Sequence, residues 1–355
     1  MSGLNSFFRG KKILITGHSG FKGSWLAHIL LGMGSNVAGY SLKPDTEPNL
    51  FTVLGLSGRM TNHFADIRNY RKVLSAMKKE KPDIVIHMAA QPLVRPSYDD
   101  PVYTYETNLM GTVNVLQAMK EVGGVKAVVM ITTDKVYENK ETRIPYKEGD
   151  ELGGHDPYSA SKACAEIAIR SYIRSFFSAG TKHETLVASA RAGNVLGGGD
   201  WSQDRIVPDV VRAIFERNGQ VVLRRPEAIR PWQHVLDPLH GYLMLAKGLY
   251  ERDETLVGAW NFAPKEGSGM SVEELTKKAL ARIGKGSYVV EREGEKHEMG
   301  ILMLDAGKAR NALGWSPRLG IDQALDWTFE WYKAYYEKED MVKITDGQIE
   351  KFFKG

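Results

Sequence analysis

The sequence predicts an α/β protein: a Rossmann-type, doubly wound parallel sheet followed by a smaller C-terminal substrate-binding lobe. Three observations carry this expectation. Apolar strand-like runs alternate with amphipathic helical stretches through the first half. A glycine turn, Gly17, Gly20 and Gly23, follows the first of those runs. Near Asn194 the alternation breaks into the Gly- and Arg-rich "GNVLGGGDWSQDRIVPD". Residues 1–190 therefore form a dinucleotide-binding lobe, joined by later returning segments, and residues 191–355 mainly a substrate lobe.

The elements follow in order. "KILIT" is the first strand, and the pattern after its glycine turn predicts a helix from Phe21 to Leu31. "NVAGY" is the second strand, a short apolar strand ends just before Asp66, and a helix runs from Arg68 to Lys79. "DIVIHMAA" is the fourth strand, Pro101 to Glu121 a helix, and "AVVMITT" the next strand. A helix from Pro157 to Phe177 leads to "TLVASA". No internal repeat or low-complexity tract interrupts the series.

Composition narrows the function classes. The chain has 355 residues, 43% hydrophobic and 25% charged, enough for a generous core without metal or disulfide support. Its single cysteine, Cys164, has no internal partner, and no Cys/His cluster has zinc-ligand spacing, so no metal is expected. The net charge of +4 is spread among acids, with no basic run for nucleic acid. No stretch of 18 apolar residues points to a membrane, and "MSGLNSFFRGKK" lacks an apolar leader core, so a cytoplasmic location is expected.

In "LITGHSGFKGSWL" the spacing G-x-x-G-x-x-G, between strand and helix, lets bare backbone approach a pyrophosphate at a helix N-terminus. A tight turn that needs glycine for backbone reasons alone is the plainer account. Two roles are open to Asp66: accepting a hydrogen bond from an adenine amino group, or capping the following helix. Ala89 and Ala90 end the fourth strand on small side chains that leave room for a cofactor. Ser41, not an acid, stands at the end of the second strand with Lys43 nearby, so the residues themselves leave NAD and NADP open.

"DPYSASKACAE" places Tyr158 and Lys162 four apart at a helix start, on one face. A neighbouring ammonium favours phenolate, so Tyr158 is expected to be acidified and to accept a proton from an alcohol. "TTDKVYEN" ends a strand on Thr133 and an acid–base pair, Asp134 and Lys135; a salt bridge without chemistry is the alternative. Beyond residue 190, Asn194 suits a phosphate oxygen, while Arg205 and Arg230 suit forked contacts to a diphosphate. Trp232 and His234 are expected to be core residues. Arg95, Ser97 and Tyr98 either line the substrate pocket or anchor their loop.

"TGHSGFKG", "HMAAQPLVRPSY", "TTDKVYEN", "GGHDPYSASKACAE", "RAGNVLGGGDW", "DRIVPD", "IRPWQHV" and "LGWSPR" occur in the order that resembles the extended short-chain dehydrogenase/reductase family, over nearly the whole chain. "QPLVRPSY", "DKVYEN" and "AIRPWQHVLDPL" resemble the branch that dehydrates CDP-linked glucose. The resemblance implies a hydro-lyase with tightly held NAD, acting as a homodimer on a nucleotide-diphosphate sugar, in deoxysugar biosynthesis for lipopolysaccharide O-antigen. It implies that Thr133 and Tyr158 hold and deprotonate the sugar 4-hydroxyl, that hydride leaves C4 and returns at C6, and that Asp134 and Lys135 expel water between those events, their order left open. It adds cofactor contacts at Ser19, Phe21, Lys22, Ile67, Gln91, Asn108 and Arg191, and substrate contacts at Ile206 and Gln233. The rival expectations are a nucleotide-sugar 4-epimerase, a dehydratase of a GDP- or dTDP-sugar, a reductase that releases its cofactor, and a non-catalytic dinucleotide-sensing scaffold.

Overall fold

Strands buried on both faces need apolar residues at every position, and that is how the continuous apolar runs are used. The computed structural model describes residues 2–177, 184–265, 268–291 and 301–354. α1 (Ser2–Phe8), β1 (Lys12–Thr16), α2 (Phe21–Gly32) and β2 (Asn36–Ser41) open the chain. A short α3 (Leu50–Val53), β3 (Thr61–Phe64), α4 (Tyr70–Glu80) and β4 (Ile84–His87) continue it. Then come α5 (Val94–Asp99), α6 (Pro101–Tyr105), α7 (Gly111–Val122), β5 (Ala127–Ile131), α8 (Pro157–Phe176) and β6 (Leu186–Ala192).

The second half supplies β7 (Val195–Leu196), α9 (Ile206–Phe215), β8 (Gln220–Leu223), β9 (Ile229–Pro231), β10 (Gln233–His234) and α10 (Leu236–Tyr250). It ends with β11 (Gly258–Phe262), β12 (Gly269–Ser271), α11 (Val272–Ile283), β13 (Ser287–Val290), α12 (Gly307–Ala312), α13 (Ile321–Tyr336) and α14 (Met341–Lys354).

The central sheet has seven strands in the order β11, β6, β5, β4, β1, β2, β3. Every pairing in it is parallel. Alternation along each strand divides the core. Ile13 and Ile15, Ile84 and Ile86, and Val129 join the face covered by α2 and α10, whereas Leu14, Val85, Val128 and Met130 join the face covered by α4 and α7. From β1 the chain builds outward through β2 and β3, then crosses back to β4 on β1's other side. The crevice at the carboxyl ends of β1 and β4 is thus the topological switch point where ligands of such sheets bind.

Two expectations shift. The strand expected over "DIVIHMAA" ends at His87, because Met88 and Ala89 turn their N–H groups onto Thr16 Oγ1, each at 3.1 Å. The expected helix from Pro101 is interrupted by a wide π turn over Glu106–Met110 before α7 begins. β11 and α10, both beyond residue 190, return to the central sheet and its cover, so the sheet's far edge comes from the chain's second half.

The core also encloses neutral histidines. His87 sits between Thr16 Oγ1 at 2.7 Å and Thr112 Oγ1 at 3.1 Å, and burial lowers its pKa to about 3. Burial likewise lowers His234 to about 3, and His18 and His240 to about 4. Their folded values lie below the unfolded value of about 6.5, so below that pH the unfolded chain binds more protons and the fold loses stability. Each group contributes up to about 1.4 kcal/mol per pH unit while pH falls from about 6.5 toward 4. The melting temperature is therefore expected to drop steeply between pH 6.5 and 4.5; an unchanged value across that window refutes the expectation.

Candidate active site

The glycine turn is closed against its surroundings. Gly17 adopts φ +76°, and a Cβ there would come within 2.8 Å of the Ala89 backbone; a Cβ on Gly23 would lie 2.1 Å from the Gly17 carbonyl oxygen. Gly20 caps α2 with no side chain accepting from the helix, which leaves the first backbone N–H groups to a ligand. Ser19 Oγ donates to the Leu42 carbonyl at 2.8 Å, with Ser41 Oγ 2.8 Å from Ser19 Oγ. This cradle, the backbone N–H groups of α2 and the small residues Ala89 and Ala90 fit a dinucleotide pyrophosphate.

A cleft of about 970 Å³ runs from this turn to the second half of the chain. Gly17, Ser19, Gly20, Phe21, Lys22, Gly23, Ser41, Asp66, Ile67, Ala89, Ala90 and Gln91 line one end of it. Thr133, Asp134, Lys135, Tyr158 and Lys162 line its middle, and Asn194, Arg205, Ile206 and Arg230 its other side, with Arg95 also in the wall. Among the described residues no three His, Cys, Asp or Glu side chains gather as a metal site.

Local chemistry explains these positions. β5 stops at Ile131, and Thr132 Oγ1 turns inward to donate to Glu166 at 2.5 Å. Thr133 then caps a single tight turn, Asp134–Val136, and its hydroxyl donates to Asp134 Oδ1 at 2.9 Å. Asp156 caps α8, accepting from the Ser159 N–H at 2.9 Å and the Ser159 hydroxyl at 2.6 Å, with Pro157 in the first turn. That cap sets Tyr158 one turn before Lys162, in the same stretch of cleft wall as Thr133.

The expected acidification of Tyr158 does not hold in this structure. Burial pushes its phenol up to about 12, outweighing the Thr133 hydroxyl nearby, which lowers it. Lys162 points its ammonium at the Ile131 carbonyl, 3.3 Å away, and burial lowers it to about 8 against the pull of Glu166. Asp134, 3% exposed, has its carboxyl pKa raised by burial, with Lys135, Thr133 and Arg230 opposing. Lys22 reaches Tyr242 Oη at 3.2 Å, and burial, then Arg205 and Lys162, lower it to about 7.

Several residues singled out from the sequence lie elsewhere. Arg191 is 3% exposed and turned from the cleft: it grips Glu166 through Nε at 3.0 Å and through a second nitrogen at 2.8 Å, and donates to Tyr137 Oη at 2.8 Å. Asn108 is buried behind the cleft, where it clamps Gln91 by accepting its N–H at 2.8 Å and donating to its carbonyl at 3.0 Å. Ser97 accepts the Tyr158 N–H at 3.1 Å and so supports the tyrosine from outside the lining, as loop anchoring requires; Tyr98 is outside it too. Gln233 packs inward, donating to the Phe262 carbonyl at 3.1 Å. Asp66 is not a helix cap; Asn69 caps α4, while Asp66 takes the Arg68 guanidinium at 2.8 and 3.0 Å.

Trp232 is buried and donates to the Met270 carbonyl at 3.1 Å, and His234 is fully enclosed. Glu166 and Asp200 were not singled out. Glu166, one turn beyond Lys162 in "KACAE", was findable by its i+4 spacing; it holds Thr132, Ser189 and Arg191 together. Asp200 holds Arg205 at 2.9 Å, and its own backbone N–H donates to Tyr332 Oη of α13 at 3.0 Å, a tertiary contact no local pattern reveals.

Residues 14–328 match the family model described as GDP-mannose 4,6 dehydratase. The chain is 45% identical over 350 residues to a CDP-glucose 4,6-dehydratase of Salmonella typhimurium, covering 98% of this chain and 97% of that protein. Among solved structures it resembles a UDP-glucose 4-epimerase from Stenotrophomonas maltophila with bound NAD, at TM-score 0.79 and 21% identity, covering 92% of this chain and 99% of the other. It also resembles a dTDP-glucose 4,6-dehydratase from Streptomyces venezuelae with NAD bound, at TM-score 0.78 and 24% identity, covering 93% and 99%.

Proposed function

The chain belongs to the GDP-mannose 4,6-dehydratase family of the extended short-chain dehydrogenase/reductases, and from that premise we propose that it is an NAD-dependent hydro-lyase converting CDP-glucose to CDP-4-keto-6-deoxyglucose. One observation carries the reading: Tyr158, Thr133, Asp134 and Lys135 line the same cleft, with the Thr133 hydroxyl donating to the buried Asp134 carboxyl. A 4-epimerase needs the tyrosine, threonine and Lys162 but has no use for a buried acid next to them.

NAD, held by the Gly17–Gly23 cradle, Ser19 and Ser41, supplies a hydride acceptor and donor. The chain's own residues do the rest. Thr133 orients the sugar 4-hydroxyl and Tyr158 takes its proton, with the Lys162 ammonium supporting the phenolate that forms. Once C4 is a ketone, the C5 proton is acidic enough for an amine, and Lys135 removes it. Asp134, whose carboxyl pKa is raised by burial, gives its proton to the departing 6-hydroxyl. Arg205 and Arg230 hold the diphosphate by charge-assisted hydrogen bonds.

We also assign the enzyme to the cytoplasm as a homodimer, its product feeding deoxysugars of lipopolysaccharide O-antigen. A lone cysteine suits a reducing compartment. Val102, Met110 and Ile167 stand exposed on the helical layer of α6 to α8, which suits a self-association face; sedimentation at micromolar concentration reads the state, and a monomer there excludes the dimer. The function itself is tested by incubating purified protein and NAD with CDP-, dTDP-, UDP- and GDP-glucose and following mass. Loss of water is expected with CDP-glucose; loss of water from none of them overturns the reading.

A further inference from the structure

Building on the CDP-glucose reading, we propose that Asp209, on the first turn of α9, selects the base by accepting a hydrogen bond from the exocyclic amino group of cytosine. The reacting sugar carbon must lie at Tyr158 and Asp134, and the diphosphate between Arg205 and Arg230. The nucleoside then extends to the end of the cleft walled by Val207, Pro208 and Asp209 of α9 and by Val222 and Leu223 of β8. Four of these five are apolar, which suits the faces of a flat pyrimidine; the fifth is a carboxylate, which can only accept when ionised.

That carboxylate is held in place. Arg212 donates to Asp209 Oδ1 at 2.6 Å and is itself pinned by the carbonyls of Trp201 at 2.7 Å and Ser202 at 3.1 Å. Among the described residues Asp209 Oδ2 has no hydrogen bond from a protein donor. Asp204, the other acid nearby, is paired with Arg224 at 2.7 Å. A fixed acceptor discriminates by what faces it. Cytosine presents an amino donor at C4, whereas uracil and thymine present a carbonyl oxygen that a carboxylate repels. Guanine carries donors as well, so the preference between CDP- and GDP-glucose is part of the test.

The test compares kcat/KM for CDP-, UDP- and GDP-glucose in the parent and in Asp209→Asn. An amide can donate to a C4 carbonyl, so the CDP-to-UDP ratio is expected to fall by roughly 10–100-fold in the variant. A ratio unchanged from the parent overturns the proposal, as does a parent that prefers GDP-glucose. Because the ratio is taken within one preparation, general loss of fold or activity does not move it. Should Asp209→Asn fail to fold, the parent protein decides: CDP is expected to bind roughly 10-fold or more tightly than the diphosphate of pyrimidin-2-one riboside, which lacks the amino group, and equal binding overturns the assignment. Absence of turnover from every sugar nucleotide sinks the dehydratase reading instead, and the base preference is then read from parent-protein binding alone.

Discussion

Tyr158→Phe is expected to lower kcat/KM for CDP-glucose by about 10²–10⁴-fold while leaving NAD binding and the melting temperature close to the parent's. The substitution removes one hydroxyl from a side chain that is 8% exposed and keeps the ring that fills the space. What is lost is the proton acceptor for the sugar 4-hydroxyl. Burial, with the charges of Asp134 and Asp156 adding to it, holds that phenol at about 12, so the parent depends on added positive charge to use it near neutrality. Lys162 is placed to supply part of that charge, one helical turn away, but it titrates near 8 itself. Turnover of the phenylalanine variant at the parent's pace, with cofactor bound, would remove Tyr158 from the chemistry and with it the oxidation step.

Asp134→Asn separates the two halves of the reaction. The amide matches the carboxyl in size, can still accept from the Thr133 hydroxyl, and keeps its distance from the Gly193 backbone, where a Cβ would already meet Asp134 Oδ2 at 3.0 Å. It has no proton to give the leaving hydroxyl. Release of the 6-deoxy product is expected to fall by about 10²-fold or more, while quenched reaction mixtures contain a 4-keto hexose nucleotide that still carries its 6-hydroxyl. Normal water loss from this variant would transfer the acid's role elsewhere, with Lys22 the next group to test.

Much of this was legible in the chain. Strand order within βαβ units, the glycine turn and the Tyr158–Lys162 spacing are local patterns, and local patterns survive without knowledge of distant partners. Arg191 shows the limit. The family resemblance implied a cofactor contact there, but Glu166, on the helix just before β6, consumes it. Asp66 failed as a cap because Asn69, closer to the helix start, accepts the N–H groups first. The acidity of Tyr158 was misjudged for a physical reason: spacing announces a charged neighbour but says nothing of desolvation, and here desolvation is the larger effect. β11 escaped notice because Gly258 and Asn261 interrupt the apolar run of "GAWNF".

The Arg191–Glu166 pair has a consequence for working conditions. With side-chain exposures of 3% and 4%, it is shut away from dissolved ions, and it ties β5, β6 and α8 together behind Tyr158. Arg68 and Asp66, at the cofactor end, are 36% and 31% exposed and do feel them. Raising ionic strength therefore loosens the rim of the binding cleft and leaves the reacting groups in register.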